Sequence, residues 1–306
     1  MLFRSAVPPK VGKERRPRTL GDYEIHIHEV GGYANIRQIS SGEIMHSHTP
    51  PMVEAKALYV DQSGLAERLR LPAEADPAAA APLVIWDLGL GAAANAMAAI
   101  QCHEAEAAKG PVRPLRVISF ESDLDSLRLA MTHKNRFEYL RHSGPDALLA
   151  RGAWKSRQFP GLEWELHVGD FWAKAAEASA RPDLVFFDFF SHKTDVACWK
   201  PAAFAELRRL LGDGRAVELF TYSASTAVRV ALLNAGFHVA IGTGTGVKKE
   251  TIVALTPGYA KPCRYDLLGK AWLDRWRRSS AKFPEGMDEA ERAALEARIE
   301  GHPQFA

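Results

Sequence analysis

Seven apolar runs of strand length recur between Val84 and Leu255, with helical stretches between most of them. The runs are Val84–Leu90, Arg116–Glu121, Trp164–Gly169, Leu184–Phe190, Ala216–Thr221, His238–Gly242 and Thr251–Leu255. Helical patterns at about Ala92–Ala108, Asp123–Phe137, Phe171–Ala180, Trp199–Leu211 and Ser225–Ala235 supply crossovers. Near-continuous apolar runs are strands covered on both faces, and their alternation with helices predicts a doubly wound, seven-stranded Rossmann-like α/β sheet. Only Thr243 to Glu250 joins the sixth run to the seventh, too little for a parallel crossover, so the last strand is expected to be antiparallel.

The rest of the 306 residues are appendages to this core, expected at 83–257. Residues 1–22 form a basic arm, with Arg4, Lys10, Lys13, Arg15, Arg16 and Arg18 against Glu14 alone and Pro8, Pro9 and Pro17 opposing helix. Residues 23–70 read as a small β-rich module: Tyr23 to His28 alternates, Gly31-Gly32 signals a turn, and Tyr33 to Ile39 resumes extended character. Pro72 to Pro82 looks like a connector. The C-terminal extension, 258–306, is basic from Lys261 to Lys282 and acidic from Glu285 to Glu300, where a solvated helix is expected. Trp272 and Trp276, four apart, are expected to cover a core rather than bind a base.

The net charge of +2 gives no bulk argument for nucleic-acid binding, so any such role depends on local clusters. Three scattered cysteines, Cys102, Cys198 and Cys263, suit neither a disulfide framework nor a thiolate zinc site and point to the cytoplasm. The most apolar stretch, Pro82 to Ile100, is broken by Asp87 and Asn95, so no membrane span is expected.

The strongest local signal is Trp86-Asp87-Leu88-Gly89-Leu90-Gly91-Ala92-Ala93-Ala94-Asn95, between the first apolar run and the first helix. Glycines there let the backbone approach a ligand at the carboxyl edge of the sheet, although a structural turn has the same appearance. With Ala94 at its third position the pattern also passes as a dinucleotide fingerprint. Asp87 argues against that: a carboxylate so near the turn disfavours a pyrophosphate and suits the ammonium and sulfonium of S-adenosylmethionine. Glu121 ends the second run, where an acid is placed to accept hydrogen bonds from ribose hydroxyls. Gly169-Asp170 ends the third, with a plain helix cap as the alternative for Asp170. Asp188 sits among Phe186, Phe187, Phe189 and Phe190, too apolar a run to hold a carboxylate without a reason.

These residues resemble the methyltransferase half of MnmC, the bifunctional bacterial enzyme of tRNA wobble-uridine modification, and its stand-alone form MnmD. Gly42-Glu43 with His46-Ser47, then Glu54 and Gly64-Leu65, is similar to the family's N-terminal segment. Asp87-x-Gly89-x-Gly91-x-x-x-Asn95 resembles its cofactor loop, and Phe120-Glu121 and Gly169-Asp170 follow at corresponding strand ends. Asp188, Phe190 and Trp199 reproduce the spacing of its Asp-Gly-Phe…Trp segment. Thr221-Tyr222-Ser223-Ala224 leading to Val228-Arg229, and Gly244-x-Gly246-x-Lys248-Lys249-Glu250, resemble its later blocks.

The resemblance implies S-adenosylmethionine as cofactor, tRNA as partner, and methylation of the exocyclic amine of 5-aminomethyl-2-thiouridine. It implies Asp188 as the catalytic residue and Asp87, Gly89, Gly91, Asn95, Glu121, Gly169 and Asp170 as cofactor-binding. Glu43, His46, Phe190 and Trp199 fall to the substrate, and Arg229, Lys248 and Lys249 add positive charge for RNA. An alkylamine resembles lysine, with a pKa of ~10.4, so exposing its lone pair at pH 7 costs ~4.6 kcal/mol. Alignment contributes about 7–11 kcal/mol, so positioning should dominate.

The family's Ala-Pro-Ala-Lys-Asn-Pro is here Ser191-His192-Lys193-Thr194-Asp195-Val196, and its glycine after the aspartate is Phe189. A different amine acceptor is therefore the alternative; a non-catalytic nucleoside-binding module has less need of Asp188. The residues after Pro257 are too few for a flavin-binding region, so no FAD-dependent step is expected on this chain. His26-x-His28 and His46-x-His48 raise a metal reading, but no cysteine lies near and amine methylation needs no metal, so none is expected.

Overall fold

In the computed structural model the described residues are 18–70, 81–246, 248–259, 261–280, 282–283 and 287–306. The basic arm up to Pro17 and most of the connector, 71–80, lie outside them. Thr19–Leu20 (β1), Tyr23–Ile27 (β2) and Ala34–Gln38 (β3) make a small antiparallel sheet in that order, so the end of the expected arm is already a strand. Ile25 pairs with Ile36, and both are buried.

The second half of the expected β-rich module is instead helical: Pro51–Ala55 (α1), a π-helical turn Lys56–Asp61, and Leu65–Arg70 (α2). Pro51 occupies the first turn of α1, where its missing N–H costs nothing. Ala55, Leu58, Tyr59, Leu65 and Leu69 turn inward at helical rather than alternating spacing.

The main sheet comprises Leu83–Leu88 (β4), Leu115–Glu121 (β5), Ala153–Lys155 (β6), Leu162–Val168 (β7), Leu184–Phe187 (β8), Glu218–Thr221 (β9), His238–Thr243 (β10), Glu250–Leu255 (β11) and Asp266–Leu267 (β12). Its order is β12-β10-β11-β9-β8-β4-β5-β7-β6. The centre is parallel, and β11 runs antiparallel to both β9 and β10, as the short link before it required. Among the described residues the sheet has nine strands rather than seven because two short edge strands, β6 and β12, are too brief to register as apolar runs.

The helices are Ala94–Ala107 (α3), Asp125–Thr132 (α4), Ser143–Arg151 (α5), Phe171–Lys174 (α6), Pro201–Leu211 (α7), Thr226–Asn234 (α8), Lys270–Arg277 (α9) and Glu289–Glu300 (α10). All six residues of β4 are buried, and they alternate between two cores. Leu83 and Ile85 belong to the core of α3 and α4, where the small sheet covers α4 and α1, α2 and the π-helical turn cover α3; Val84, Trp86 and Leu88 belong to the core of α7 and α8. Since β4 lies between β5 and β8, the crossovers leave it in opposite directions, and a crevice opens at the carboxyl ends of these strands.

The C-terminal extension is part of the second core. Strand β12 pairs with β10, Trp272 and Trp276 of α9 stack with ring centroids 6.4 Å apart, and α10 buries Leu295 and Ile299 against the core that holds α8. The expectation of a solvated final helix is thus corrected: two apolar residues one turn apart in an acidic helix suffice to dock it. Ile299→Ala is expected to destabilise the fold by about 2–5 kcal/mol, read as a lowered denaturation midpoint. A change within ~0.5 kcal/mol, the range for surface sites, would mean that α10 is not docked.

Candidate active site

At the carboxyl edge of the sheet a cavity of about 930 Å³ receives residues from both the core and the N-terminal module. Its first half is built from the ends of β4, β5 and β7, with Gly89, Gly91, Glu121, Gly169 and Asp170 in its wall. Gly89 has φ +83°, and a Cβ there would stand 2.7 Å from the Asp188 carbonyl oxygen, so this turn tolerates no side chain. Glu121 accepts from the Gly91 amide at 2.9 Å with Oε2 and from the Ser122 and Asp123 amides with Oε1, which fixes the loop against β5. Burial pushes its carboxyl above the ordinary range despite these donors. Asp170 stands at the cap position of α6 but makes no side-chain capping bond, so the plain-cap reading does not hold and the carboxylate is left in the cavity wall.

Asp87 is placed differently from expectation. Its carboxyl is fully buried and does not line the cavity; Oδ2 accepts from Ser119 at 2.7 Å, while Oδ1 has no partner. Burial, opposed by Ser119 and helped by the charges of Asp188 and Glu121, raises its pKa to about 8. An orphaned carboxyl oxygen at the root of a glycine loop, with two further acids in the wall, is a donor-poor environment that favours a cation. These residues fit the sulfonium, ammonium and ribose of S-adenosylmethionine and disfavour a pyrophosphate.

The second half of the cavity centres on Asp188, just beyond β8. The Tyr59 hydroxyl donates to Oδ1 and the Asn95 amide to Oδ2, both at 2.7 Å. Burial raises the carboxyl above its ordinary value, against the opposing pull of His46 and of these two donors. Asn95, expected at the cofactor, is thus turned toward Asp188 and is absent from the cavity wall. Phe190 donates its amide to Asp195 at 3.1 Å and accepts from the Trp199 indole at 2.7 Å, so both expected aromatics are locked in the wall.

Glu43 reaches across from the N-terminal module. It accepts from the Ser191 amide at 2.8 Å, the Ser191 hydroxyl at 3.0 Å and the Thr194 hydroxyl at 2.6 Å, and so holds the segment that follows Asp188. Losing bonds to a charged acceptor costs about 1.5–3 kcal/mol each. Glu43→Ala is therefore expected to raise the acceptor KM about 10- to 100-fold. Cofactor Kd should stay within ~3-fold; an unchanged acceptor KM would show that the latch is idle.

His46 adopts a left-handed conformation, φ +55°, uncommon for a residue other than glycine. The buried Asn35 amide pins that turn by donating to the Met45 and His46 carbonyls. The imidazole Nδ1 lies 3.0 Å from Glu54 Oε2, and Thr245 donates to the other Glu54 oxygen at 3.2 Å.

Lys248 enters from the β10–β11 link, donates to the Tyr222 carbonyl at 3.1 Å and lies 4.5 Å from the Tyr222 ring centroid. Burial lowers its pKa, although Glu54, Asp188 and Glu43 counteract it. Two expected RNA contacts fall elsewhere. Arg229 is buried, pairs with Glu250 at 2.8 Å and does not reach the cavity; Lys249 is exposed outside it. Arg229 lies on α8, whose residues Val228 to Leu233 are all buried, which accounts for its inward direction.

Tyr59 and Tyr222 were not singled out as site residues. Tyr59 lies in the π-helical turn that the β reading missed, and Tyr222 was legible only as part of a motif block. Among the described residues no group of three or more His, Cys, Asp or Glu could hold a metal ion.

Residues 147–257 match a family of S-adenosyl-L-methionine-dependent methyltransferases, Methyltransf_30. The bifunctional protein MnmC of tRNA 5-methylaminomethyl-2-thiouridine biosynthesis from Pseudomonas aeruginosa is 27% identical over 288 residues, 87% of this chain and 41% of that protein. The MnmC of Ralstonia nicotianae is 32% identical over 110 residues, 36% of this chain and 16% of that protein. The chain thus spans less than half the length of these relatives. The crystal structure of MNMC2 from Aquifex aeolicus superimposes with a TM-score of 0.61 at 20% identity, covering 93% of this chain and 85% of that one, and shares the fold.

Sheet order, antiparallel β11 and the match over 147–257 define an S-adenosylmethionine-dependent methyltransferase of class I. Within that class the chain is similar to the methyltransferase part of the MnmC proteins.

Proposed function

We propose that this chain methylates the exocyclic amine of a 5-aminomethyl-(2-thio)uridine at the wobble position of tRNA. The observation that carries this reading is Asp188, held by Tyr59 and Asn95 at 2.7 Å each, facing the same cavity as the glycine loop. The names of the relatives, which concern 5-methylaminomethyl-2-thiouridine in tRNA, support the choice of acceptor.

Bound S-adenosylmethionine supplies an electrophilic methyl group. Gly89 and Gly91 would let the backbone close on it, Glu121 and Asp170 would accept from its hydroxyls and ammonium, and Asp87, held largely neutral by burial, would sit beneath the loop with a free oxygen. Asp188 accepts a hydrogen bond from the acceptor amine and orients it. Phe190, Trp199 and Tyr222 offer ring faces and edges to a base taken out of its stack, the usual way that proteins read unpaired RNA. Lys249 contributes positive charge outside the cavity, whereas Arg229 serves the fold. Residues 23–70 complete the acceptor half of the 83–257 core, and the cytoplasm, where tRNA is modified, is the compartment.

A different amine acceptor is the second reading, favoured by one observation: the departing segment Ser191 to Asp195 is latched by Glu43 and lines the cavity. Labelled S-adenosylmethionine supplied with tRNA carrying 5-aminomethyluridine, unmodified tRNA and a panel of small amines separates the two. Label in the modified tRNA alone is the expected result; label only in a small amine would replace this reading with the second.

A further inference from the structure

We infer that His46 and Glu54 form a proton-accepting dyad for the acceptor amine, with His46 Nε2 as the base and Glu54 as its positioning residue. The inference rests on the proposed amine methylation and adds to it the group that removes the proton.

Four observations carry it. His46 lines the acceptor half of the cavity, together with Asp188. Its backbone is held in a left-handed conformation by the two Asn35 bonds, and such conformations, which cost about 1–3 kcal/mol, concentrate at functional sites. Glu54 is near-buried, 13% exposed, and ion-pairs with Nδ1 at 3.0 Å; Thr245 fixes its second oxygen. Asp188, by contrast, already accepts from Tyr59 and Asn95 on both oxygens, which suits orientation better than proton uptake.

Burial penalises the Glu54 charge, but the contacts with His46, Thr245 and Lys248 outweigh this and keep its carboxyl below the ordinary range. An ionised Glu54 accepts only, so neutral His46 carries its proton on Nδ1 and keeps a lone pair on Nε2. The groups acting on the imidazole are Glu54 from α1 and Asp188 from the end of β8; Tyr59 from the π-helical turn, Lys248 from the β10–β11 link and His48 line the same cavity. Burial opposes the imidazolium, whereas Glu54 and Asp188 favour it more, so its pKa lies above the usual value.

The step balances. One ammonium proton of the acceptor passes to Nε2, and the freed lone pair forms the N–C bond while the C–S pair stays with sulfur. The thioether and a secondary ammonium result, and the imidazolium returns its proton to water.

Neutral His46 is the active form, so kcat/KM should fall as pH drops through its raised pKa. His46→Gln is expected to lose about 100-fold or more and to lack that acid limb, with cofactor Kd little changed. Glu54→Gln should move the limb to lower pH. Histidine NMR titration of the cofactor-bound protein, which needs no acceptor, should place His46 above the ordinary imidazole value and show a drop in Glu54→Gln. An unchanged limb in His46→Gln, or a His46 titration at or below the ordinary value, overturns the dyad. Absence of methyl transfer to tRNA by the wild type strikes the acceptor reading instead, and the titration still decides the dyad.

Discussion

Asp188→Asn is expected to lower methyl transfer by ~10²-fold or more, with cofactor Kd within ~3-fold of wild type. The size follows from what the carboxylate does. In the proposed reaction it orients the acceptor amine. Its two donors, Tyr59 and Asn95, hold different carboxyl oxygens at 2.7 Å each, so the carboxyl is fixed rather than free to rotate. The Asn95 carbonyl oxygen has no partner, and an amide flip lets Asn95 accept from the new side chain. The variant should therefore fold. Asp188→Ala is the harsher control: it leaves the Tyr59 and Asn95 donors facing a void, at about 1–3 kcal/mol for each buried group left unmet. Near-wild-type turnover in Asp188→Asn would remove Asp188 from the chemistry.

Gly89→Ala is expected to abolish cofactor binding, with Kd raised ~100-fold or more, and to lower stability. The left-handed conformation at φ +83° alone costs a residue with a side chain about 1–3 kcal/mol. To this is added a Cβ at 2.7 Å from a backbone oxygen, and that oxygen belongs to Asp188, so relief of the clash displaces the residue proposed to orient the acceptor. Gly212→Ala is the matched control: φ is +77°, but nothing lies within 4 Å of its Cβ position. It should lose stability comparably to the strain term and keep the cofactor. If the two variants bound cofactor equally, the close approach at Gly89 would have no role in the site.

Sequence carried the centre of this molecule and lost its margins for physical reasons. Strands β4, β5, β8, β10 and β11 are buried on both faces, so their apolar runs stand out without periodicity, and the link between β10 and β11 is too short for anything but a hairpin. The edge strands β6 and β12 draw their partners from the sheet rather than from their own composition. The turn from Lys56 to Asp61 is packed by tertiary contact on α3 and on the sheet, which local pattern does not record.

The site followed the same division. Gly89, Gly91, Glu121, Asp170 and Asp188 were legible because strand ends converge on one edge, and the structure places all five in one wall. Direction was not legible. Asp87 alternates onto the α3 face with Ile85, Asn95 turns to Asp188, and Arg229 follows the buried face of α8 to Glu250. Tyr59 depends on a contact across 129 residues, which no spacing rule anticipates.

The most direct test is nucleoside mass spectrometry of tRNA after incubation with the chain and S-adenosylmethionine. The account predicts that 5-aminomethyl-2-thiouridine gains one methyl on its exocyclic amine and that no other nucleoside changes. Bound cofactor with that nucleoside unaltered, or a methyl placed on a base or ribose instead, would contradict it.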